Sequence, residues 1–363
     1  ELARAVDERV MRPVRKLLGE TRQIFISPDG ALNLVPFAAL VDENDRYLIE
    51  NYSLSYLTSG RDLLRLQVGA ESRQPPLVVA DPAFGEMAGE DPSNASYGRG
   101  VEEAQARRSG EMARMIFVPL RGTAEEANAL GSMLPGVRVL TQAEATEAAV
   151  KRVSAPRVLH VATHGFFLPD WPRAVAASGR GIKLGGGNTL AATRIENPLL
   201  RSGLALEGAN RRRGANGEDG ILTALEVTGL DLWGTKLVVL SACETGVGEV
   251  RNGEGVYGLR RALVLAGSES QVMSLWQVSD DATRDLMVAY YKRLTANEGR
   301  SDALRQVQLE MLRGNKQLKG VEGRGLLGVR SRAARGDHRH PFYWAAFIQS
   351  GDWRAMTHRA QSP

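Results

Sequence analysis

The sequence predicts an α/β fold, with a mainly parallel sheet flanked by helices. Three short apolar runs, at 157–163, 236–242 and 271–276, are typical of strands that are buried on both faces. Helical patterns, with apolar residues three or four positions apart, lie between and after these runs. Strands that alternate with helices favour parallel pairing, because a parallel crossover leaves room for a helix.

The rest of the chain supplies further elements of the same kind. Strands are predicted from residue 23, in the run 75–84 and at 137–140. Thr123 and Glu126 have the spacing of a capping box, which predicts the start of a helix. Apolar spacing predicts the remaining helices, at 147–153, 256–263, 286–294 and 304–311.

Three polar or Gly-rich segments interrupt this pattern. Residues 85–112 contain much Gly, Ser, Glu and Arg and few apolar positions, so we expect a linker or a mobile loop there. The Gly-rich segments 179–187 and 214–220 are expected to be surface loops. The basic run at 211–213 lies beside the last of these, and we expect it to be exposed to solvent.

Composition excludes several classes of function. A net charge of +4, from 46 basic and 42 acidic residues, is too small to indicate nucleic-acid binding. No apolar run approaches the ~20 residues that span a bilayer, and the charged first residues are not a signal peptide, so no membrane contact is expected. Gly-rich phosphate-binding motifs and Cys/His clusters are missing from the sequence, so we expect no nucleotide, metal or other cofactor.

The cysteine content and the first residue bear on where the protein works and on whether the chain is a piece of a longer protein. The single cysteine excludes an intrachain disulfide and fits a reducing cytoplasm, where we expect the protein to work. The chain begins with Glu1 rather than Met, which we interpret as a piece of a longer protein or the result of processing.

The residues best suited to chemistry stand at the ends of two predicted strands. His164 and Gly165 follow the run 157–163 directly, and Cys243 follows the run 236–242. In open α/β sheets the working groups lie beyond the carboxyl ends of the strands, so a thiol and an imidazole at neighbouring strand ends can form a nucleophile–base pair. The backbone N–H groups of Gly165 and Cys243 are then suited to an oxyanion hole.

The same polar residues also have simpler interpretations. A lone cysteine is often a small buried apolar side chain, and His164 can be a structural histidine at a strand end. His160, four residues earlier on the same strand, is the better candidate for a structural role. Asp280 and Asp281 are expected to cap the helix that follows, with the alternative that one of them faces a substrate. Spacing identifies no third side chain that would orient His164.

Six separated blocks of sequence carry a resemblance to a known family. They are VLHVATHGFF (158–167), NPLLRSGLAL (197–206), DGILTALEV (219–227), LVVLSACETGVGEVRNGEGVYGLRRAL (237–263), SLWQVSDDAT (274–283) and FYWAAFIQSGDW (342–353). The upstream stretch ISPDGALNLVPFAAL (26–40) matches as well. Through these blocks, over about residues 20–355, the chain resembles the CHAT domain family of caspase-like, separase-related cysteine peptidases.

The resemblance implies a fold, a dyad and a setting. It implies a caspase-like sheet and proteolysis of other proteins by a Cys-His dyad, mapped onto Cys243 and His164. In separase-like relatives an inactive caspase-like half precedes the active half. The implied units here are an N-terminal helix, pseudo-caspase half and linker at 1–112, and an active protease half at 113–363. Upstream tetratricopeptide repeats or an activating partner, and a role in regulated prokaryotic proteolysis or defence, are implied as well.

The resemblance also implies that a protein substrate is held as an added extended strand. The segment expected to hold it comprises Ser274, Leu275, Trp276, Gln277 and Val278.

The expected preference at P1, the substrate residue before the cleaved bond, follows from two positions. Relatives that cut after Arg or Lys commonly carry an acidic residue two positions before the cysteine, and that position is Ser241 here. We therefore expect a neutral or weakly selected P1 residue. Asp280 is the one acidic group expected to overturn this if it reaches the pocket.

A cysteine endopeptidase is favoured over two other functions. One alternative is a catalytically silent interaction or scaffold module that keeps the fold, and the other is an acyl transferase or non-peptidase hydrolase that uses the same dyad. We also expect weak activity in the chain alone, stimulation by a partner, and a candidate self-cleavage site in the loop 208–220.

Overall fold

Twelve strands in the described part of the chain form two sheets. The protein is represented by a computed structural model that describes residues 1–86, 115–167, 198–241, 243–244, 254–276, 278–314 and 338–357. The strands are β1 (Gln23–Ile26), β2 (Ser53–Tyr56), β3 (Leu77–Pro82), β4 (Arg138–Gln142), β5 (Val158–Ala162), β6 (His164–Phe167), β7 (Ser202–Ala205), β8 (Ile221–Thr223), β9 (Leu237–Leu240), β10 (Cys243–Glu244), β11 (Ser270–Ser274) and β12 (Phe347–Gly351).

The helices in the described residues surround these sheets. They are α1 (Leu2–Leu18), α2 (Leu48–Asn51), α3 (Asp62–Arg65), α4 (Arg121–Met133), α5 (Glu147–Lys151), α6 (Ala224–Val227), α7 (Glu254–Leu265), α8 (Asp280–Thr295), α9 (Arg300–Leu312) and α10 (Pro341–Trp344). None of the helices that the structure describes is both long and apolar enough to cross a membrane.

The large sheet has eight strands in the order β1-β2-β12-β11-β9-β5-β3-β4. Neighbouring strands are parallel, except for the antiparallel pair β11 and β12. The three apolar runs correspond to β5, β9 and β11, which lie side by side in the middle of the sheet. The prediction of a mainly parallel sheet flanked by helices is confirmed.

Side chains alternate between two core layers along the central strands. In β5, Leu159 and Val161 join one layer with α7, while Val158 and Ala162 join the other with α4, α8 and α9. This alternation follows from the two-residue period of a strand. Because helices cover both faces, every residue of the strand has an apolar or buried environment, which explains the uninterrupted apolar run in the sequence.

The N-terminal strands belong to the same sheet as the rest of the chain. β3 lies between β4 and β5, and β1 and β2 extend the sheet at the edge that β12 would otherwise form. The expected boundary between 112 and 113 therefore divides one sheet. A separate inactive half is not confirmed, and most of the expected linker, from residue 87, lies outside the described residues together with the segment 179–187.

The small sheet arises where two central strands leave the large one. Its order is β10-β6-β7-β8, and it begins where β5 continues through Thr163 into β6 and where β9 is followed by β10. Val161 pairs with Leu240 in the large sheet, and three residues further along each chain segment His164 pairs with Cys243 in the small one. The two segments thus keep one register across the junction.

The start of α4 differs from the predicted capping box. The N-cap is Leu120, and no side chain caps it. Thr123 donates its hydroxyl hydrogen to the Leu120 carbonyl at 2.7 Å, and the Glu126 side chain turns into the protein, 2% exposed. The capping-box prediction is therefore wrong, because Glu126 has a partner elsewhere in the fold.

Candidate functional site

The backbone pairing of β6 with β10 brings the two predicted chemical residues together. His164 is the register partner of Cys243, and Gly165 is the register partner of Glu244. Strands in a sheet lie about 4.8 Å apart, so register partners stand within the range over which a nucleophile and a base interact. The adjacency expected from two strand ends is present in the fold.

A backbone carbonyl orients the imidazole of His164. His164 is 3% exposed, and its Nε2 lies 2.6 Å from the carbonyl oxygen of Val118. Since a carbonyl only accepts hydrogen bonds, Nε2 carries the hydrogen and Nδ1 is left as the acceptor. Sequence reasoning found no third member because any residue can provide a carbonyl.

Two aromatic rings enclose His164. The ring centroids of Phe84 and Phe117 lie 5.3 and 5.7 Å from that of His164. Burial lowers the pKa of His164, against the opposing effects of the Val118 hydrogen bond and the charge of Asp280. The net shift favours the neutral imidazole, which is the form that can accept a proton.

Asn210 ties this aromatic wall to the rest of the protein. Its side chain accepts a hydrogen bond from the Phe117 N–H at 2.9 Å and donates to the carbonyls of Phe117 and Gly85, both at 2.9 Å. The backbone N–H of Asn210 donates to the Phe84 carbonyl at 2.9 Å. Phe84, Phe117 and Asn210 were all missed from the sequence, since their packing around His164 is a tertiary feature.

The loop 208–220 is tied to the chain at its start, while Arg211 and Arg213 of the basic run are exposed, as expected. Gly208 and Asn210 are bonded to the chain at 83–84, and Glu207 accepts a hydrogen bond from the Ala215 N–H at 3.0 Å. Within the basic run, Arg212 is half-buried and its guanidinium lies 6.0 Å from the Phe117 ring. A protease substrate must be extended, so this compact loop does not support the expected self-cleavage site.

His160 lies in a buried polar cluster beside the site. Its Nδ1 is 3.1 Å from the Tyr291 hydroxyl, and its Nε2 is 3.1 Å from Glu126 Oε1 without forming a hydrogen bond. The other oxygen of Glu126 accepts a hydrogen bond from the Ser241 hydroxyl at 3.0 Å. These contacts, on a strand in the middle of the large sheet, support the structural role expected for His160.

A cavity opens between α4, α8 and the strand junction. It is open to solvent, and its volume of about 20 Å³ is room for about one water molecule. The residues around it are mostly polar: Leu120, Gly122, Thr123, Glu126, Thr163, His164, Ser241, Asp280 and Thr283.

The approach of α8 to α4 at this cavity depends on a glycine. A Cβ atom on Gly122 would lie 2.5 Å from the Cβ of Asp280, a distance that real atoms do not tolerate. The residue therefore lets the first turn of α8 reach the cavity. Asp280 and Asp281 lie in that first turn, while the N-cap Ser279 makes no side-chain cap hydrogen bond.

The segment expected to hold an extended substrate is only partly open. Ser274 ends β11 and pairs with Phe347 of β12, and the Leu275 N–H donates to the Ala346 carbonyl at 2.8 Å. The side chains of Leu275 and Val278 are buried in the core. The backbone on the β12 side is thus already used as far as Leu275.

Among the described residues of the segment 274–278, Trp276 is the most exposed. It is half-buried, its indole N–H donates to the Phe342 carbonyl at 2.9 Å, and its ring stacks on that of Phe342 at 6.4 Å. Gln277 lies outside the described residues. Of the predicted substrate-binding residues that the structure describes, Asp280 is the one that lines the cavity beside His164.

One group of acidic residues in the described ranges is compact enough to suit a metal ion. The carboxylates of Glu147, Glu218 and Glu226 lie within 4.8 Å of one another. Lys151 Nζ lies between them, at 2.6, 2.8 and 2.9 Å. The ammonium group occupies the space between the carboxylates and compensates part of their charge, so the group is a salt-bridge cluster.

The fold and the strand junction define an α/β protein with a cysteine and a histidine paired where two strands change sheets. The chain belongs to the CHAT domain family, whose family model matches residues 1–352.

Individual similar proteins are distant. The human protein Tetratricopeptide repeat protein 28 is 24% identical over 345 residues, which are 92% of this chain and 12% of that protein. The crystal structure of the Arg-specific cysteine proteinase gingipain R is similar with a TM-score of 0.43 and 10% identity, over 97% of this chain and 67% of that one.

Proposed function

We propose that this chain is a cysteine endopeptidase in which Cys243 is the nucleophile and His164 the general base. The observation that carries the proposal is the register of β6 and β10, in which His164 and Cys243 are partners. The hydrogen bond from Nε2 to the Val118 carbonyl supports it, because it leaves Nδ1 available to a thiol.

The proposed reaction has two stages. His164 Nδ1 takes the thiol proton of Cys243, and the thiolate attacks the carbonyl carbon of the cleaved peptide bond. The N–H groups of Gly165 and Cys243 stabilise the oxyanion, and the protonated imidazole gives its proton to the leaving amine. Water, deprotonated by His164, then hydrolyses the thioester, which releases the acid and restores the thiol.

The lowered pKa of His164 suits this scheme. Burial disfavours the imidazolium, so the ring is neutral and ready to act as a base near neutral pH. The positive charge that forms during the reaction is offset by Asp280, whose charge acts in the opposite direction on the same pKa.

The proposal extends to partners and location. We propose a protein substrate bound as an extended strand beyond Leu275, control by upstream tetratricopeptide repeats or another activating partner, and a cytoplasmic location in prokaryotic regulated proteolysis or defence. Similarity to a protein named for tetratricopeptide repeats supports the association with repeats. It equally favours the second candidate function, a catalytically silent interaction module.

Labelling and turnover separate the two candidates. The rate at which a peptidyl acyloxymethyl ketone labels Cys243 is measured for the wild type, His164→Ala and His340→Ala, the last being a control on an exposed histidine. The endopeptidase predicts rapid labelling that falls at least ~100-fold in His164→Ala and stays unchanged in His340→Ala. Cleavage of a peptide mixture should be lost equally in Cys243→Ala, His164→Ala and the double variant, because the two residues act as a unit. Equal labelling in all three proteins, with no cleavage by the wild type, identifies an interaction module.

A further inference from the structure

One end of the large sheet, where β9 and β11 begin, carries a patch of exposed apolar side chains: Leu64, Val68, Trp233 and Leu265. We infer that this basal patch is a docking surface for an amphipathic helix of a partner protein, with acidic residues beside its apolar stripe. Cys243 lies beyond the other end of β9, so the inference concerns a surface that the proposed function does not use.

The side chains of the basal patch are large, apolar and open to solvent. Leu64 is 67% exposed, Val68 and Leu265 are each 60% exposed, and Trp233 is 45% exposed. Single exposed apolar residues are ordinary on a protein surface, whereas a group of them on one surface is typical of an interaction site. Trp is also among the residues that contribute most to binding at protein interfaces.

Backbone contacts place Trp233 beside the end of α7, which carries Leu265. The Leu232 N–H donates to the Ala266 carbonyl at 3.1 Å. Gly267 has a φ of +105°, and a Cβ atom there would lie 3.0 Å from the backbone of Trp233, so the approach of the two segments requires a glycine. The turn that presents Trp233 is therefore fixed against α7.

The segment that carries Leu64 and Val68 joins the same surface. Arg65, directly after Leu64, donates from its guanidinium to the Ser268 carbonyl at 2.8 Å. Ser268 comes three residues after Leu265, so α3 and the residues after it lie against the end of α7. The four apolar side chains thus come from three segments that are in contact with one another.

The rim of the basal patch carries positive charge. Arg61 lies three positions before Leu64, and Arg261 lies one helical turn before Leu265, so each arginine shares a helix face with an apolar residue of the patch. Both arginines are exposed, and the side chain of neither forms an ion pair within the described part of the chain. Both are therefore available to an acidic partner.

The carboxylates near the patch are already engaged with cations of this chain. Asp231 forms an ion pair with Arg73, and Glu269 forms one with Lys236. These acids consequently leave the charge of the rim uncompensated, which favours a partner that brings its own carboxylates.

Arg65 adds a cation that this chain compensates only in part. Its Nε and one of its terminal nitrogens have no hydrogen-bond partner within the described residues. Burial lowers the pKa of Arg65, against the opposing charges of Asp62, Glu269 and Asp352. Since the cost of burial exceeds the effect of these acids, a further carboxylate docked on the basal patch would stabilise the guanidinium.

The charges also decide which kind of occupant fits. In a symmetric dimer the same surface meets itself, so Arg61 and Arg261 would be brought close to the same cations of a second copy. Membrane surfaces are bound by clusters of about four to eight Lys or Arg, more than this rim provides. A partner helix instead covers the four apolar side chains with its own apolar stripe and places acidic residues against the arginines.

The first test selects the occupant from a library. Randomised peptides of about 18 residues in a helical frame are displayed on phage, selected on the full chain and counter-selected on Trp233→Ala. We expect the recovered peptides to carry an apolar stripe flanked by Asp or Glu. By fluorescence anisotropy, Trp233→Ala and Leu265→Ala should each weaken binding of a recovered peptide at least ~10-fold, while the control Leu17→Ala, exposed on α1, stays within about twofold.

The second test reverses the charge of the rim. Arg61→Glu should weaken binding of the acidic peptide at least ~10-fold and strengthen binding of the same peptide with Lys in place of Asp and Glu. The matched control Arg9→Glu, on an exposed position of α1, should change neither affinity. Melting temperatures equal to that of the wild type show that each variant is folded.

The outcomes that overturn the inference are distinct. Failure to recover any peptide, peptides without enrichment of Asp or Glu, or binding that Trp233→Ala and Leu265→Ala leave unchanged each overturn it. A dimer in sedimentation velocity that Leu265→Ala dissociates overturns it in favour of a second copy. Binding to phosphatidylserine vesicles that Arg61→Glu abolishes overturns it in favour of a membrane. None of these measurements uses peptide cleavage, so their result is independent of the proposed endopeptidase.

Discussion

Asn210 provides a test of how the fold positions His164. Its side chain makes three hydrogen bonds, all of 2.9 Å, to the backbone at Phe117 and Gly85. A neutral hydrogen bond contributes about 1 kcal/mol, so Asn210→Ala should lower the free energy of unfolding by about 3 kcal/mol. Phe117 directly precedes Val118, whose carbonyl orients His164. A small displacement there should also lower kcat per folded molecule by about tenfold or more.

Two further variants make this test specific. Asn210→Asp keeps the size of the side chain but turns an oxygen toward the carbonyls of Gly85 and Phe117, so we expect no recovery of stability. Asn44→Ala, in an exposed turn, should change stability by less than about 0.5 kcal/mol. Urea unfolding and peptide cleavage are measured for each. Unchanged stability and unchanged kcat in Asn210→Ala would refute the positioning role.

Three other changes test separate features. His160→Asn should lower the free energy of unfolding by about 2 kcal/mol through the loss of buried contacts, yet keep kcat per folded molecule. A loss of kcat without a loss of stability would make His160 rather than His164 the general base. The charge of Asp280 raises the pKa of His164 against the effect of burial, so Asp280→Asn should move the acidic limb of the kcat/KM profile to lower pH, and a shift to higher pH would contradict this. Lys151→Met should cost about 2–3 kcal/mol at pH 7, because it leaves three carboxylates unpaired. Burial already raises the pKa of Glu147 to about 7, so its protonation should reduce the stability lost in Lys151→Met as the pH falls toward 5. The control Lys292→Met, at an exposed site, should change stability little at either pH.

The strand ends were the predictable part of the site. Buried parallel strands leave apolar runs in the sequence, so β5, β9 and β11 could be located without a structure. His164 and Cys243 follow two of these runs directly, and β5 and β9 turned out to be neighbours that keep their register into the small sheet. The helices α7, α8 and α9 were located by the same kind of local periodicity.

The parts that sequence reasoning missed depend on contacts between distant segments. The Val118 carbonyl leaves no signal in the residue type, and Phe84 and Phe117 are read as ordinary apolar residues until they are seen beside His164. Glu126 fits a local capping pattern, yet its hydrogen bond to Ser241 crosses 115 residues.

The order of the strands in the large sheet could not be predicted from the sequence either. β2 pairs with β12 near the other end of the chain, and periodicity alone carries no information on which strands become neighbours. A division at residue 112 therefore looked plausible although β3 lies between β4 and β5.

The most direct test of the central claim is a search for new protein N-termini that depend on Cys243. Lysate from cells that contain the candidate substrates and partners is incubated with the wild-type chain or with Cys243→Ala, and the N-termini are identified by mass spectrometry. Equal melting temperatures of the two proteins ensure that only the thiol differs. The account predicts a defined set of new N-termini with the wild type that is absent with Cys243→Ala. The same set with both proteins, or no new N-termini with either, would contradict it.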